Sequence, residues 1–458
     1  KRAVMAQVFR RSSLTLLAAP LLASLALACD KGAASTAPAV TAAPDVQAQA
    51  PAAPAPAGSA PSTPQAAGIP ADVNVVVISI DSLRADMPWQ NPPYGRPIAP
   101  RLTELAKKSA VYTNFYASSS YTSMSLGGFL GGRPPSELLR SGYFFSSYPD
   151  KNLFFPELLQ KANITTVATQ AHWYFGSAGW EQGFTKWELI PNLKKDNSTD
   201  TEVTAPRHEA LAETQLTDAS KKGRFFAWYH FMDPHDVYYD HKKDGVEPYG
   251  KGQRDKYDGE VTFTDTYVGK LVDFIDAQPW GSKTIVLITA DHGEAFGEHG
   301  STRHGFEVWE PLVRIPLVVH GPGIPARRID VRRSAIDLAP TFLDLFGAPK
   351  EASYRGESLR GEWAGTNAPV RDFVVDLPET SNNDKRRAFY RGKYKMLRQG
   401  GYSYRLYDLE TDPGEDKPLP KDATFSELKE AFEAYDKTLT EVEPTQCKKG
   451  CLFTTAPK

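Results

Sequence analysis

Cysteine is scarce in this chain, three in 458 residues, and all three lie near its ends. Cys447 and Cys451, in the segment CKKGC, have no further thiol nearby to complete a metal site. They are expected to close a small disulfide loop in an exported protein. An excess of charge is also missing. The chain carries 53 Lys and Arg against 55 Asp and Glu, a formal net charge of −2, which argues against nucleic acid as a partner. Hydrophobic content, at 41%, is ordinary for a globular protein. The apolar run LTLLAAPLLASLALA (14–28) is too short and too rich in Ala for a membrane span.

Arg10 and Arg11 precede that run, so the two together read as the charged and apolar regions of an export signal. Ala26 and Ala28 just before Cys29 suit a bacterial lipoprotein cleavage site, although Leu usually stands where Ala26 does. On that reading residues 1–29 are a signal, Cys29 is lipidated, and the chain is held to a membrane of the bacterial cell envelope, in the periplasm or at the cell surface. A plain secretory signal, or a twin-arginine signal, remains open. Residues 30–70 are mostly Ala, Pro, Ser, Thr and Gln. They lack the large apolar side chains that offset ordering entropy, and are expected to form a disordered tether.

Beyond the tether, apolar runs end abruptly in polar residues. VNVVVISI (73–80) ends in Asp81, FFAWYHF (225–231) leads to Asp233 and His235, and TIVLITA (284–290) ends in Asp291 and His292. Continuous β-branched runs read as strands buried on both faces. Helical spacing lies between them at 99–110, 255–278 and 334–347. Alternation of this kind predicts a mainly parallel, mixed α/β sheet between helices, with a polar site at the carboxyl ends of its strands. A carboxylate beside an imidazole at such an end suits a metal ion. The segment VYTNFYASSSYTSMSLGGFLGGRPP (111–135) passes through a Ser/Thr-rich turn into a small-residue helix start near Leu126, a place that favours anions. From about residue 371, short strands with Gly turns predict a small antiparallel sheet, so 71–370 is expected as the main domain and 371–458 as a C-terminal subdomain.

Residues 72–418 resemble the sulfatase family of the alkaline-phosphatase-like superfamily. VVVISIDSLRAD resembles its first metal motif, FMDPH its substrate-histidine motif and ITADHGEAFGEHG its second metal motif. GFEVWEPLVRIPLVVHGPG, DLAPTFLDLFG and RLYDLETDPGE resemble further family segments in the same order. The resemblance implies Asp81, Asp291 and His292 as metal ligands, and His235 and His304 as groups that bind the ester's oxyanions or protonate its leaving group. It implies His172 as a substrate-binding histidine, with Gln170 where the family carries Lys. Ser82 replaces the second Asp of the first motif, as in the DTLR-like branch. Aligned on Gly132, Arg133 and Pro135, Thr122 takes the nucleophile position. Formylglycine, which the family makes from Cys or Ser, is therefore not expected.

The implied chemistry is hydrolysis of a sulfate or phosphate (mono- or di-) ester by Thr122 with one divalent ion. Mixed Asp/His ligation favours Zn or Mn, with Ca or Mg less suited. The substrate would be a small molecule or a glycan- or lipid-linked ester. Thr122 and His292 also resemble phospho-transferring relatives, so a phosphoethanolamine-type transferase acting on envelope components stays open. So does a non-catalytic binding protein that keeps the fold. Within the Ser-rich stretch, Ser120, Ser123 and Ser125 are rival nucleophiles.

Overall fold

The computed structural model describes residues 68–141, 146–176, 179–193, 202–366, 369–379 and 384–445. Cys29, Cys447, Cys451 and nearly all of the expected tether lie outside these. The folded part begins by Ile69. Its side chain is buried and its carbonyl accepts Arg360 Nη2 at 3.2 Å, as an apolar residue beside a core requires.

In chain order the strands of the main domain are β1 (Asn74–Ile80), β2 (Ala110–Tyr116), β3 (Thr165–Gln170), β4 (Lys186–Leu189), β5 (Phe225–Phe231) and β6 (Thr284–Ala290). A two-residue hairpin follows, β7 (Ala295–Phe296) with β8 (Thr302–Arg303), and then β9 (Arg314–His320), β10 (Arg327–Ile329) and β11 (Arg333–Ser334). Among the described residues the main sheet runs β10-β2-β9-β6-β1-β5-β3-β4, with β11 also on β2. Its pairs are parallel except those of β9, which is antiparallel to both β2 and β6.

The helices are α1 (Pro100–Lys107), α2 (Thr122–Gly131), α3 (Phe155–Lys161), α4 (Ala205–Ser220), α5 (Gln253–Ala277), α6 (Glu310–Val313), α7 (Leu338–Phe346), α8 (Arg360–Trp363) and α9 (Ala423–Asp436). They cover both faces, as alternate residues of β5 show. Phe226 and Trp228 meet rings of α2, α3 and α7, namely Phe129, Phe155 and Phe342. Tyr229 and Phe231 meet His208 of α4 instead. Successive side chains of a strand point to opposite faces, so His230 belongs to the α2 side.

Two helices differ from the sequence reading. The small-residue helix starts at Thr122, four residues before Leu126, and α4 occupies a stretch left without an element. An α1 that opens on Pro100 has no side-chain cap of its own. Asp265 of α5 supplies one, its carboxylate accepting the N–H groups of Arg101 and Leu102, each at 2.8 Å. Asp265→Ala is expected to cost about 1–2 kcal/mol in urea unfolding. Burial pushes the Asp265 carboxyl up to about 6, from 3.8. The folded state then binds more protons between those values, so this group's contribution weakens as pH rises from about 4 to about 6. Asp265→Asn should flatten the stability profile over that window.

The C-terminal strands β12 (Phe373–Leu377), β13 (Arg386–Arg391), β14 (Tyr394–Gln399) and β15 (Ser403–Asp408) form the antiparallel sheet. Lys395 of β14 is fully buried, with Nζ 3.1 Å from Glu310 Oε1, 2.7 Å from Glu415 Oε1 and 2.7 Å from the Val308 carbonyl. Glu310 opens α6, and the Leu312 carbonyl of α6 accepts Gly293 N–H at 2.8 Å. The small sheet is thereby tied to the loop that follows β6.

Candidate active site

β1 and β6 pair in parallel with Ile80 opposite Ala290, so Asp81 and Asp291 leave the sheet side by side. Both are buried. Ser82 adopts a left-handed backbone conformation (φ 58°) and its N–H donates to Asp291 Oδ1 at 3.2 Å. The Ser82 hydroxyl donates to Asp81 Oδ1 at 2.7 Å. Where the family motif has a second Asp, the serine holds the first one in place.

The third member of this group is His230, which the sequence reading passed over. Ser79 and His230 are register partners on β1 and β5, and Ser79 Oγ lies 2.8 Å from His230 Nδ1. His230 Nε2 is 3.3 Å from Asp81 Oδ2 and 4.0 Å from Asp291 Oδ2. One atom each of Asp81, His230 and Asp291 falls within 4.8 Å of the others, a metal-sized group. Its signal was present: one imidazole inside an otherwise apolar strand, five residues before the FMDPH histidine.

The electrostatics of this group fit a cation. Asp291 Oδ2 is buried and accepts no hydrogen bond among the described residues. Burial and the Asp81 charge raise the Asp291 carboxyl well above its ordinary range. Asp81 is shifted well down despite burial, because His230 hydrogen-bonds to it and His235 and His292 lie near. Two buried carboxylates, one of which cannot ionise beside the other, are what a divalent ion would relieve. Ser79 Oγ also accepts the Trp228 indole N–H at 2.9 Å. It can also accept a hydrogen bond from His230 Nδ1–H; in that tautomer Nε2 no longer donates to Asp81 and carries the lone pair a metal needs.

Thr122 opens α2, which has no side-chain cap. Its Oγ1 lies 2.9 Å from His292 Nε2, and His292 Nδ1 lies 2.9 Å from the Gly293 carbonyl. A carbonyl only accepts, so Nδ1 carries the proton and Nε2 offers a lone pair to the threonine hydroxyl. Burial and the neighbouring His304 push His292 down to about 3, which keeps the ring neutral. His292 Nε2 is also 3.2 Å from Asp291 Oδ2, so the expected ligand borders the metal-sized group while facing Thr122. The Ser125 hydroxyl donates to the Asp291 carbonyl at 2.6 Å.

Glycine lets this helix seat deeply. A Cβ on Gly127 would lie 2.2 Å from Tyr148 Oη, and one on Gly128 2.2 Å from Ser118 Oγ. Those two hydroxyls donate to the carbonyls of Ser123 (2.6 Å) and Ser125 (3.0 Å) and fix the turns carrying Thr122.

The outer histidines gather around the same point. The His304 ring centroid is 4.3 Å from that of His292 and 5.1 Å from that of His235. Glu294 Oε1 lies 3.2 Å from His304 Nδ1, and Tyr238 donates to Glu294 Oε2 at 3.0 Å. Arg84 Nη1 donates to the Glu294 carbonyl at 2.5 Å. Burial would raise Glu294, but the charge of His304 lowers it on balance, so an anion holds the Nδ1 side of that ring. His172 stands two residues beyond β3 on this edge of the sheet, packed against Trp173 and Tyr174. Gln170, in register with His230, is fully buried, and neither amide atom has a partner among the described residues.

Comparison with known proteins places these features in a family. The Sulfatase family model matches residues 73–348, and a model for the C-terminal region of N-sulphoglucosamine sulphohydrolase matches 297–442. Delta 4,5-hexuronate-2-O-sulfatase of Bacteroides thetaiotaomicron is 29% identical over 171 residues, 35% of each chain. This chain spans about a third of the length of that relative and of three further curated sulfatases. Ps i-CgsB, solved with a neocarrahexaose, shares the fold at TM-score 0.68 and 20% identity, over 82% of this chain and 94% of that one. Phosphonate monoester hydrolase of Agrobacterium radiobacter does so at TM-score 0.63 and 16% identity, over 80% and 95%.

Proposed function

Since the chain belongs to the sulfatase family, we propose that it hydrolyses sulfate or phosphate esters with Thr122 as nucleophile and His292 as its base. The observation that carries this reading is the Thr122 hydroxyl set 2.9 Å from the lone pair of a buried neutral imidazole, beside a carboxylate pair short of one positive charge. Thr122 Oγ1 attacks sulfur or phosphorus as its proton passes to His292 Nε2. The bond to the departing oxygen breaks, and His235 or His304 gives that oxygen a proton. The other histidine holds charge on the remaining oxygens, steadied by Glu294 in the case of His304. Water then attacks the sulfur or phosphorus, giving its proton to the histidine that protonated the first leaving group, and the bond to Thr122 Oγ1 breaks as that oxygen takes its proton back from His292 Nε2. Gln170 offers a buried amide to a substrate oxygen where a lysine would bring charge.

A divalent ion belongs to the same proposal. Asp81, Asp291 and His230 would hold it, with His292 Nε2 at the border, and the donor set favours Zn or Mn. When bound, it would lower the pKa of the threonine hydroxyl and polarise the ester. The lipid anchor at Cys29 and the envelope location also remain proposals, supported by sequence alone. Two relatives suggest the substrate class. One is a Delta 4,5-hexuronate-2-O-sulfatase and the other was solved with a neocarrahexaose, so a sulfated saccharide is favoured.

The test is a panel of aryl sulfate, phosphate monoester, phosphodiester and phosphonate monoester, each with and without chelator and with Zn or Mn restored. Turnover of at least one, lost on chelation and regained with metal, is the expected result. No turnover of any of them with metal bound would leave the non-catalytic reading standing.

A further inference from the structure

We propose a second anion-binding site, for a sulfated saccharide chain, at the edge of the main sheet opposite the catalytic residues. β2 runs parallel to β1, since β9 is antiparallel to both β2 and β6. The amino end of β2 therefore lies away from the edge where Asp81 and Asp291 emerge. A groove of about 400 Å³ opens there, lined by the end of α1, the start of β2 and the start of β10. Lys107, Arg327 and Arg328 line it, and among the described residues no carboxylate does.

The two arginines are not neutralised. Neither forms an ion pair among the described residues. Arg328 Nη1 donates to the Trp89 carbonyl at 2.8 Å, and Arg327 Nη1 to the Glu362 carbonyl at 3.4 Å. The nearby Glu362 carboxylate is occupied by Arg333 at 2.7 Å and Tyr112 at 3.0 Å. Among the described residues Lys107 pairs with the exposed Glu104, a contact of little strength that a stronger anion can displace. A guanidinium has five donors, and its planar fork fits the oxygens of a sulfate or phosphate group.

Shape decides between two sources of such groups. A bilayer is met by protruding apolar side chains or by cations presented on an open face; none of the exposed large apolar residues, Val203, Val237, Phe306, Val370 and Tyr402, lines this groove, and its cations line a concavity. A concave groove that carries three cations suits a chain bearing repeated anionic groups. Such a site would retain the protein on a polymer while the distant catalytic edge acts, whichever ester is cleaved there.

The experiment measures retention of the full chain on immobilised heparin and affinity for soluble dextran sulfate at near-physiological salt. Polyglutamate and vesicles of phosphatidylglycerol with phosphatidylcholine are run alongside. Arg327→Glu/Arg328→Glu is expected to weaken glycan affinity about tenfold or more, and Lys107→Gln, on an exposed helix end, about threefold. The melting temperature and the turnover of a small soluble ester should stay at parental values. Glycan affinity unchanged in both variants overturns the proposal. So does a loss confined to the vesicles, or an equal loss on polyglutamate, which would mean general attraction to polyanions. None of these outcomes depends on Thr122 being the nucleophile.

Discussion

Thr122→Ala is expected to lower kcat on the best ester of the panel by about 10³-fold or more, with metal content unchanged. The size follows from what is removed. The Thr122 hydroxyl is held 2.9 Å from the His292 lone pair, and the next candidate, Ser125, is engaged by the Asp291 carbonyl. Thr122→Ser keeps the hydroxyl and should retain part of the rate. Ser123→Ala leaves its backbone carbonyl to accept Tyr148 and should change the rate little. Steady-state kinetics with metal analysis of each variant checks this. A Thr122→Ala protein that turns over at the parental rate with metal bound would leave attack by a water molecule as the mechanism.

Removing the imidazole that the sequence reading missed is expected to have the second large effect. His230→Ala should weaken divalent-metal affinity by about tenfold to a hundredfold, since even partners behind a ligand are worth that much. Asp81→Ala and Asp291→Ala should do at least as much. His292→Ala separates two roles for that ring. As a base alone, its loss slows turnover and spares the metal. As a ligand instead, with Nε2 given to the metal in line with the family resemblance, its loss also releases metal. Titration calorimetry beside kinetics reads both. Metal bound by His230→Ala as tightly as by the parent would remove His230 from the site.

What the sequence made legible follows physical rules. Asp81 and Asp291 stood out because each breaks a β-branched run at its end, where an open sheet exposes its strands. His230 did not, because it sits inside such a run, where an imidazole reads as one more core residue. Only the pairing of β1 with β5 brings it to Ser79 and Asp81. The start of α2 lies earlier than its residues suggest because Thr, Ser and Gly are weak helix formers, and its seating depends on glycine contacts with Tyr148 and Ser118, residues outside the helix. α4 escaped notice because its buried face is made of Ala205, His208, Ala212, Gln215, Leu216 and Ala219, in which a single large aliphatic residue gives no apolar stripe. The antiparallel direction of β9 is likewise invisible in its own residues, since a strand buried between two neighbours has the same composition either way.

The buried Lys395 has a consequence for recombining this chain with its relatives. It joins Glu310, at the head of α6, to Glu415, beyond the last strand of the small sheet. A crossover near residue 370 would inherit the lysine from one parent and Glu310 from the other. Unless both parents carry the same charge set, the hybrid would bury an uncompensated charge, a defect worth about 3–5 kcal/mol. Because Leu312 of that short helix also holds Gly293, the damage would reach the residue whose carbonyl sets the tautomer of His292. The small sheet is therefore not an interchangeable module, and a viable junction in this lineage belongs before β6 or after Glu415.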